Sequence, residues 1–501
     1  MHDMPADTSE TAAGKALGLK DPSLFRQACH VDGKWVTAAS GATIPVRNPA
    51  TGEIIGHVPS LSRKEVAAAI QAADRAQPLW RALTAKERAV ILRNLFDLMV
   101  ANADDLAKIL TAEQGKPLAE AKGEILYAAS FVEWFGEEGK RAYGDVIPTP
   151  ARGRRIIVQK QPVGVFAAIT PWNFPTGMIT RKAAPGWAAG CAGVIRPADE
   201  TPFSALALAE LAQRAGFPPG VCNIVTGEPV ESGKELCENP LVRKLSFTGS
   251  TRVGALLMAQ CAPTIKRTSM ELGGNAAFIV FDDADLDAAV KGVMASKYRN
   301  SGQTCVSANR IFVQAGVYDA FAEKFTAAVK GLKVGDGTAE GTTQGPLINQ
   351  AALDKVQGYV KDALAKGAKA TTGGKPHALG GNFFEPTVLT GIAPESRLVA
   401  EEIFGPVAPL YKFDTEEEAI RLANDTAFGL ASYFYARDIG RVFRVAEALD
   451  TGMVGVNEGI ISSEVSPFGG VKASGVGREG GKYGIEEYLE IKAITLGGLD
   501  S

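Results

Sequence analysis

The sequence is poor in the residues that most often build metal centres and covalent cross-links. Its 501 residues include only 4 histidines and 6 cysteines, and no two cysteines have the spacing Cys-x-x-Cys. Zinc sites and disulfide frameworks normally need closely spaced ligands or paired cysteines. We therefore expect no metal site, free thiols, and a reducing compartment such as the cytoplasm.

Long hydrophobic runs and clusters of one charge are missing as well. No apolar stretch reaches the roughly 18 uninterrupted residues that a transmembrane helix needs. The 53 lysines and arginines are interspersed with 56 aspartates and glutamates, so no basic face is available for nucleic acid. The segment 1–20 lacks the apolar stretch of a secretory signal and is expected to be a loose tail. We expect a protein that binds neither membrane nor nucleic acid.

The composition and length are those of a globular protein with two or more domains. Hydrophobic residues make up 46% and charged residues 22% of the chain. Residues 62–115 have apolar residues at helical spacing and predict successive amphipathic helices.

From residue 164 onward, short β-rich runs alternate with helical segments, which is the pattern of βαβ units on a parallel sheet. A first series, GVFAAIT, GVIRP, CNIVTG and RKLSFTG, predicts a doubly wound nucleotide-binding sheet. A second series, AAFIVF, NRIFVQ and GMVGVN, predicts another α/β domain. The ribbons RRIIVQKQPVG and EYLEIKAITLGG lack a following helix, so they are expected to pair with each other or with another subunit.

Cys305 lies in NSGQTCVSANR, a run of small and polar residues typical of a tight turn or a site. It is either a nucleophile or a small buried residue. A thiol nucleophile normally borrows a basic partner, most often histidine, and no histidine is near this segment. Any partner must come from elsewhere in the chain.

Three other motifs have both a chemical and a structural interpretation. Glu271 in MELGG is either a buried general base with a raised pKa or a surface glutamate before a turn. Asn173 in TPWNFP either donates to an oxyanion or makes a local turn. Gly249 and Gly254 in SFTGSTRVG either leave a helix N-terminus open to phosphate or form an ordinary tight connection.

Together, TPWNFP, FTGSTRVG, MELGGN, GQTC and EEIFGPV, in this order, resemble the aldehyde dehydrogenase superfamily. The similarity runs from HVDGKWV to EYLEIKAI, and segments such as SKYRNSGQTC and NEGIISSEVSPFGG look most like the succinate-semialdehyde dehydrogenases. The resemblance implies an α/β fold with a Rossmann-type cofactor domain, a second α/β catalytic domain, and a small β oligomerisation element in a homodimer or homotetramer. These parts are expected at 22–143 with 163–274, at 275–485, and at 144–162 with 486–501.

By this resemblance, Cys305 attacks the aldehyde carbon to give a hemithioacetal. The Asn173 side chain and the Cys305 backbone N–H hold its oxyanion. Hydride leaves for the nicotinamide, a thioester remains, and Glu271 activates the water that hydrolyses it. Lys182 matches a family lysine near the oxyanion site that is expected to lower the pKa of the thiol.

The resemblance also implies the residues of the cofactor site. Gly249 and Ser250 approach the pyrophosphate, Glu402 binds the nicotinamide ribose, Phe404 packs beside the ring, and Trp172 lines the same cleft.

Arg181 and Arg299 match family positions that bind the distal carboxylate of succinate semialdehyde, with the Ser462 hydroxyl beside them. A guanidinium suits this role because its planar fork meets a carboxylate with two hydrogen bonds. The alternative is that either arginine forms an internal ion pair, and this alternative applies more to Arg299 than to Arg181.

The cofactor and the substrate each leave an alternative. NADP-preferring relatives carry KPAS where this chain has RPAD, from Arg196 to Asp199. Arg196 could still bind a phosphate, but Asp199 should repel it and accept hydrogen bonds from free ribose hydroxyls, so NAD is predicted to be preferred and NADP to be possible. For the substrate, the alternatives are another carboxylated aldehyde such as glutarate semialdehyde, or a non-catalytic family member. A CoA-acylating enzyme is disfavoured, because such relatives tend to lack the base that Glu271 is expected to supply.

Overall fold

The computed structural model describes residues 8–499. The helices in this part of the chain are α1 Thr8–Ala16, α2 Arg63–Ala82, α3 Ala85–Ala101, α4 Ala103–Gln114, α5 Leu118–Glu138, α6 Gly177–Ala189, α7 Phe203–Ala215, α8 Pro229–Glu238, α9 Thr251–Cys261, α10 Leu286–Tyr298, α11 Tyr318–Lys330, α12 Gln350–Ala365, α13 Arg397–Ala400, α14 Glu416–Asn424, α15 Ile439–Ala448 and α16 Tyr483–Glu486. None of these described helices is both long and apolar enough to cross a membrane.

The strands are β1 Cys29–Val31, β2 Lys34–Val36, β3 Thr43–Arg47, β4 Ile54–Pro59, β5 Asp145–Ile147, β6 Arg155–Pro162, β7 Val165–Ile169, β8 Ala192–Arg196, β9 Cys222–Ile224, β10 Val242–Thr248, β11 Arg267–Glu271, β12 Ala276–Val280, β13 Ala308–Gln314, β14 Lys369–Thr372, β15 Thr387–Thr390, β16 Val407–Phe413, β17 Phe428–Gly429, β18 Ala431–Tyr435, β19 Met453–Val456, β20 Val471–Lys472, β21 Gly475–Val476 and β22 Leu489–Leu496.

The first predicted βαβ series forms the centre of one sheet, with the order β2-β1-β9-β8-β7-β10-β11-β21. The strands from β9 to β11 are parallel, so their carboxyl ends lie along one edge. The chain proceeds from β7 outward to β8 and β9, then returns to the other side of β7 for β10. Ligands bind at such a reversal point in open α/β sheets. The predicted doubly wound sheet is confirmed, and the TPWNFP and SFTGSTRVG motifs lie at the carboxyl ends of its strands β7 and β10.

The second predicted series forms another sheet, with the order β14-β15-β16-β13-β12-β18-β19. All its neighbouring strands run parallel except the edge pair β14 and β15. Cys305 lies in the connection that leads from α10 into β13 of this sheet. It lines the same cavity as Asn173 and Gly249, which follow strands of the first sheet.

The two ribbons with no following helix pair with each other. β22 lies antiparallel to β6, from Leu489 opposite Pro162 to Leu496 opposite Arg155, and β5 pairs with the other side of β6. Apolar side chains on this small sheet face solvent, with Val146 73% and Ile491 70% exposed.

The predicted loose tail is wrong from residue 8 onward, because residues Thr8–Ala16 form α1. Leu19 is buried and Leu17 packs against the same core cluster. A Cβ at Gly14 would lie only 2.5 Å from the Pro22 carbonyl oxygen, so the glycine allows the helix to pack closely against the following turn. Residues 1–7, which carry the rest of this prediction, lie outside the described part.

Candidate active site

Cys305 is carried by an unusual left-handed turn. Asn300, Ser301 and Gly302 have φ values of 51°, 54° and 74°, a conformation that is unfavourable for residues other than glycine. Hydrogen bonds hold the turn: the Asn300 N–H donates to Glu120 Oε2 at 2.8 Å, and the Ser301 hydroxyl donates to a backbone carbonyl at 2.9 Å. Beyond this turn the Cys305 side chain is only partly buried, whereas the other five cysteines are buried.

Two cavities meet at Cys305. The arginine cavity, about 270 Å³, is lined by Lys116, Glu120, Gly123, Glu124, Tyr127, Phe174, Met178, Arg181, Arg299, Thr304, Cys305, Val306, Ser462 and Phe468. The aromatic cavity, about 260 Å³, is lined by Pro171, Trp172, Asn173, Thr248, Gly249, Ser250, Leu272, Gly273, Cys305, Ala352, Lys355, Glu402 and Phe404. A molecule in either cavity can therefore reach the same thiol.

Asn173 lies beside the thiol segment and is held from several directions. It is 4% exposed, and its Nδ2 donates to the Gln303 carbonyl at 3.1 Å, two residues before Cys305. Its own carbonyl accepts from Asn300 Nδ2 at 2.9 Å. One Nδ2 hydrogen is used in the bond to Gln303, so a second remains for a ligand. The oxyanion role stays a prediction that this geometry supports.

Glu271 ends β11 in a buried position, 2% exposed. Among the described residues, neither of its carboxylate oxygens has a hydrogen-bond partner. Burial raises the pKa of Glu271 well above its usual value, and the nearby Glu479 carboxylate raises it further. A Cβ at Gly274 would lie 2.4 Å from the Cys305 carbonyl oxygen, so the glycines after Glu271 let this strand end touch the thiol segment.

Lys182 and Arg181 share one carboxylate, that of Glu479. The Lys182 ammonium donates to Glu479 and to the Thr248 hydroxyl, and Arg181 Nη2 lies 2.9 Å from Glu479 Oε2. Although burial acts to raise it, these two cations hold the pKa of Glu479 below its usual value.

The surroundings of Cys305 disfavour its thiolate form. Burial raises the pKa of Cys305 to about 12, and Arg181 is the main cation that opposes this shift. Lys182 contacts Glu479 and Thr248 instead, so its expected effect on the pKa of the thiol stays a prediction.

The two predicted carboxylate-binding arginines differ in their partners. The Arg181 guanidinium lies 3.8 Å from the Phe468 ring centroid, and that of Arg299 lies 5.2 Å from the Phe174 centroid. Arg181 is in the ion pair with Glu479, yet its Nε and Nη2 have no hydrogen-bond partner among residues 8–499. Arg299 forms no ion pair within the same part of the chain. The internal ion pair expected chiefly for Arg299 is thus found at Arg181.

The arginine cavity also contains charged residues that the sequence analysis did not identify. Lys116 and Glu124 form a buried ion pair, and Glu120 bonds the Asn300 amide. Glu120 and Glu124 are four residues apart on α5, so they share a helix face. This spacing is the sequence signal that could have indicated a shared site. Alone, however, it is also typical of a helix surface that faces solvent.

The aromatic cavity has the features of a dinucleotide site. The Trp172 and Phe404 rings meet edge to face with centroids 5.6 Å apart. Ser250 is the N-cap of α9, and helix N-termini favour phosphate. A Cβ at Gly249 would lie 2.4 Å from the Phe247 ring. Glu402 Oε1 accepts the Gly274 N–H at 2.9 Å, and burial raises the pKa of Glu402 to about 7.

Arg196 and Asp199 lie at the carboxyl end of β8 and bond each other. Arg196 Nη2 donates to Asp199 Oδ1 at 2.7 Å and to the Gly227 carbonyl at 3.1 Å. Its Nε donates to the Ser232 hydroxyl at 3.1 Å and its Nη1 to the Pro197 carbonyl at 3.0 Å. Four of the five N–H donors of this guanidinium are therefore engaged by the protein, and one Nη1 hydrogen remains.

The chain belongs to the aldehyde dehydrogenase family, whose family model matches residues 35–494. It is 64% identical to a glutarate-semialdehyde dehydrogenase from Pseudomonas aeruginosa, over 96% of this chain and 100% of that protein. It is 63% identical, with the same coverage, to an NADP(+) succinate-semialdehyde dehydrogenase from Escherichia coli. The solved structure of a succinate-semialdehyde dehydrogenase from Burkholderia pseudomallei is 64% identical and superposes with a TM-score of 0.95, over 96% of this chain and 99% of that one. The family and the α/β fold expected from the motifs are confirmed.

Proposed function

We propose that this chain oxidises succinate semialdehyde to succinate through a thioester on Cys305. The observation that carries the proposal is that one thiol lines two cavities, one with two arginines and one with the features of a dinucleotide site. The names of the close relatives support an aldehyde whose far end is a carboxylate. Release of NADH from NAD with succinate semialdehyde tests the proposal, and no release of NADH or NADPH with any aldehyde would indicate a non-catalytic family member.

The arginine cavity orients the substrate. The Arg181 and Arg299 guanidinium groups and the Ser462 hydroxyl bind the carboxylate, because charge-assisted hydrogen bonds are strong in a cavity that excludes water. The aldehyde carbon then faces Cys305. The Cys305 thiol passes its proton to water, the thiolate adds to the aldehyde carbon, and the Asn173 side chain with the Cys305 N–H stabilises the oxyanion that forms.

A nicotinamide dinucleotide fits the aromatic cavity. Trp172 and Phe404 would hold its flat ring, Glu402 would accept from the ribose, and Gly249 with Ser250 would lie against the pyrophosphate. When bound, it accepts the hydride of the hemithioacetal. A thioester is left on Cys305.

Glu271 completes the reaction by taking a proton from the water that attacks the thioester. Its raised pKa means that the protonated carboxyl predominates at low pH and the basic form appears as the pH rises. The hydrolysis step should therefore be faster in mildly alkaline solution.

NAD is the preferred cofactor in this proposal, with NADP used less well. A 2′-phosphate needs free donors, and four of the five Arg196 N–H donors are already bonded to Ser232, Asp199 and backbone carbonyls. The Asp199 carboxylate would repel the phosphate and accept from ribose hydroxyls. A relative 63% identical is named for NADP(+), so similarity does not decide the preference.

Glutarate semialdehyde is the second candidate substrate, because a relative 64% identical is named for it. A cavity of about 270 Å³ has room for either chain length. Values of kcat/KM for the four-carbon and five-carbon semialdehydes distinguish them: we expect the shorter to be preferred, and a higher value for the longer would assign the chain to glutarate semialdehyde.

We also propose that the protein is a cytoplasmic homodimer or homotetramer. The predicted oligomerisation element, 144–162 with 486–501, contains the exposed apolar residues of the small sheet, such as Val146 and Ile491. Light scattering tests the mass in solution, and a monomer would contradict this role.

A further inference from the structure

The reaction described above does not use the ion pair between Lys116 and Glu124. Lys116 Nζ lies 2.6 Å from Glu124 Oε2, and each side chain is only 1% exposed. Both residues line the arginine cavity, away from solvent. A buried ion pair is weak evidence for stability, because removing two charges from water offsets most of their attraction. The role of the Lys116–Glu124 pair must therefore be sought in the hydrogen bonds that it makes to other residues.

Both members of the pair bond the segment that carries Asn173. Lys116 Nζ donates to the Asn173 carbonyl at 2.7 Å. Glu124 Oε1 accepts the backbone N–H groups of Thr176 at 3.0 Å and Gly177 at 3.2 Å. The pair thus connects α5 and the loop before it to both ends of the segment 173–177, which leads into α6.

Lys116 and Asn300, which belongs to the left-handed turn before Cys305, both donate to the same peptide carbonyl. The Asn173 carbonyl accepts from Lys116 Nζ on one side and from Asn300 Nδ2 on the other, at 2.9 Å for the second bond. The Asn173 side chain in turn donates to Gln303, beside Cys305. Lys116 also lies 3.9 Å from the centroid of the Phe174 ring. Asn173 lies between these contacts, so it has little freedom to shift relative to the Cys305 thiol.

We propose that Lys116 and Glu124 are positioning residues that hold the Asn173 amide where the oxyanion forms. The proposal rests on the proposed oxyanion role of Asn173. Displacements of about 1 Å in a catalytic group can cost about 100-fold in rate. Loss of the ion pair should therefore slow hydride transfer because the Asn173 amide is displaced. Cofactor binding should not be the cause of the slower rate.

The test is a double-mutant cycle of Lys116→Met with Asn173→Ala. The rate of hydride transfer is measured in a single turnover with NAD and succinate semialdehyde, and thermal unfolding is followed in parallel. Asn173→Ala should slow hydride transfer about 100- to 1,000-fold, and Lys116→Met about 10- to 100-fold. The double variant should be no slower than Asn173→Ala alone.

Multiplying effects in the double variant would overturn the proposal, because Lys116 would then act independently of Asn173. An unchanged rate in Lys116→Met, with Asn173→Ala slow, would also overturn it and leave the oxyanion role intact. An unchanged rate in Asn173→Ala would instead refute the proposed role of Asn173 itself.

Two further variants separate positioning from stability. Arg26→Met breaks another largely buried ion pair, 2.8 Å from Glu210, and should lower the unfolding temperature without slowing hydride transfer. Lys116→Arg keeps donors for both partners and should recover most of the rate lost in Lys116→Met. If Lys116→Met does not fold, Glu124→Gln decides: it keeps an acceptor for Thr176 and Gly177 but weakens the hold on Lys116. It should slow hydride transfer at least 5-fold, by the same positioning argument, and a wild-type rate would overturn the proposal.

Discussion

Truncating the two arginines should affect substrate binding to different extents. Arg299 has no ion pair in the described part of the chain, so its charge is available to the substrate, whereas Arg181 is already paired with Glu479. Removing one partner of a hydrogen-bonded, desolvated charge pair costs about 2–5 kcal/mol. For Arg299→Ala we take about 3 kcal/mol, which corresponds to an increase in KM of roughly 100-fold.

Arg181→Ala should raise KM less, by roughly 10-fold, because the Glu479 carboxylate offsets part of the guanidinium charge. It should also lower stability, because Glu479 then loses one of its two ion-pair partners and keeps Lys182. The assay compares succinate semialdehyde with butanal, an uncharged aldehyde of the same length. The KM for butanal should change by less than about 3-fold in either variant, since only the carboxylate contact is lost.

Arg299→Lys is the matched control, because it keeps the charge and loses the planar fork; its KM should lie between those of the wild type and Arg299→Ala. Equal losses for both aldehydes would mean that the arginines are structural. A larger effect for Arg181→Ala than for Arg299→Ala would refute the argument from the Glu479 pair.

Three other variants or conditions test the remaining roles. Asp199→Ser should raise the ratio of kcat/KM for NADP to kcat/KM for NAD by at least about 10-fold, because the carboxylate no longer repels the 2′-phosphate. An unchanged ratio would show that Arg196 governs the site. Cys305→Ala should abolish turnover and leave NAD affinity within about 3-fold of wild type, and near-normal turnover would exclude this nucleophile. In the wild type, thioester hydrolysis should accelerate as the pH rises and the Glu271 carboxyl with its raised pKa loses its proton; a hydrolysis rate that falls with rising pH would contradict its role as base.

The parts of the fold with strong local patterns could be predicted from the sequence. Runs such as GVFAAIT and NRIFVQ are buried strands because parallel sheets covered on both faces need continuous apolar residues. The pairing of the two ribbons was left open, since an antiparallel partner at a sequence distance of several hundred residues has no local signal. Helix α1 was missed because it is short and its apolar residues are few.

In the site, motif resemblance identified ten of the residues that line the two cavities, whereas Glu271, Lys182, Arg196 and Asp199 line neither. It did not identify the contacts between these residues. Glu479 lies 297 residues from Lys182 and decides which arginine is paired. Glu124 resembles an ordinary charged residue of a helix surface and Lys116 one of a loop, until the fold buries them beside Asn173. The left-handed turn before Cys305 depends on Glu120, which is 180 residues away from Asn300. These contacts arise from tertiary packing, which local sequence patterns do not encode.

The proposed role of Cys305 is to carry the acyl group where the two cavities meet, and trapping the thioester tests this role. Glu271→Gln should transfer one hydride from succinate semialdehyde to NAD and then accumulate the acyl-enzyme, because only hydrolysis needs the base. Peptide mass spectrometry of that variant after a single turnover should find a succinyl group on the peptide that contains Cys305. A succinyl group on another residue, or a burst of NADH with no acylated peptide, would contradict the account.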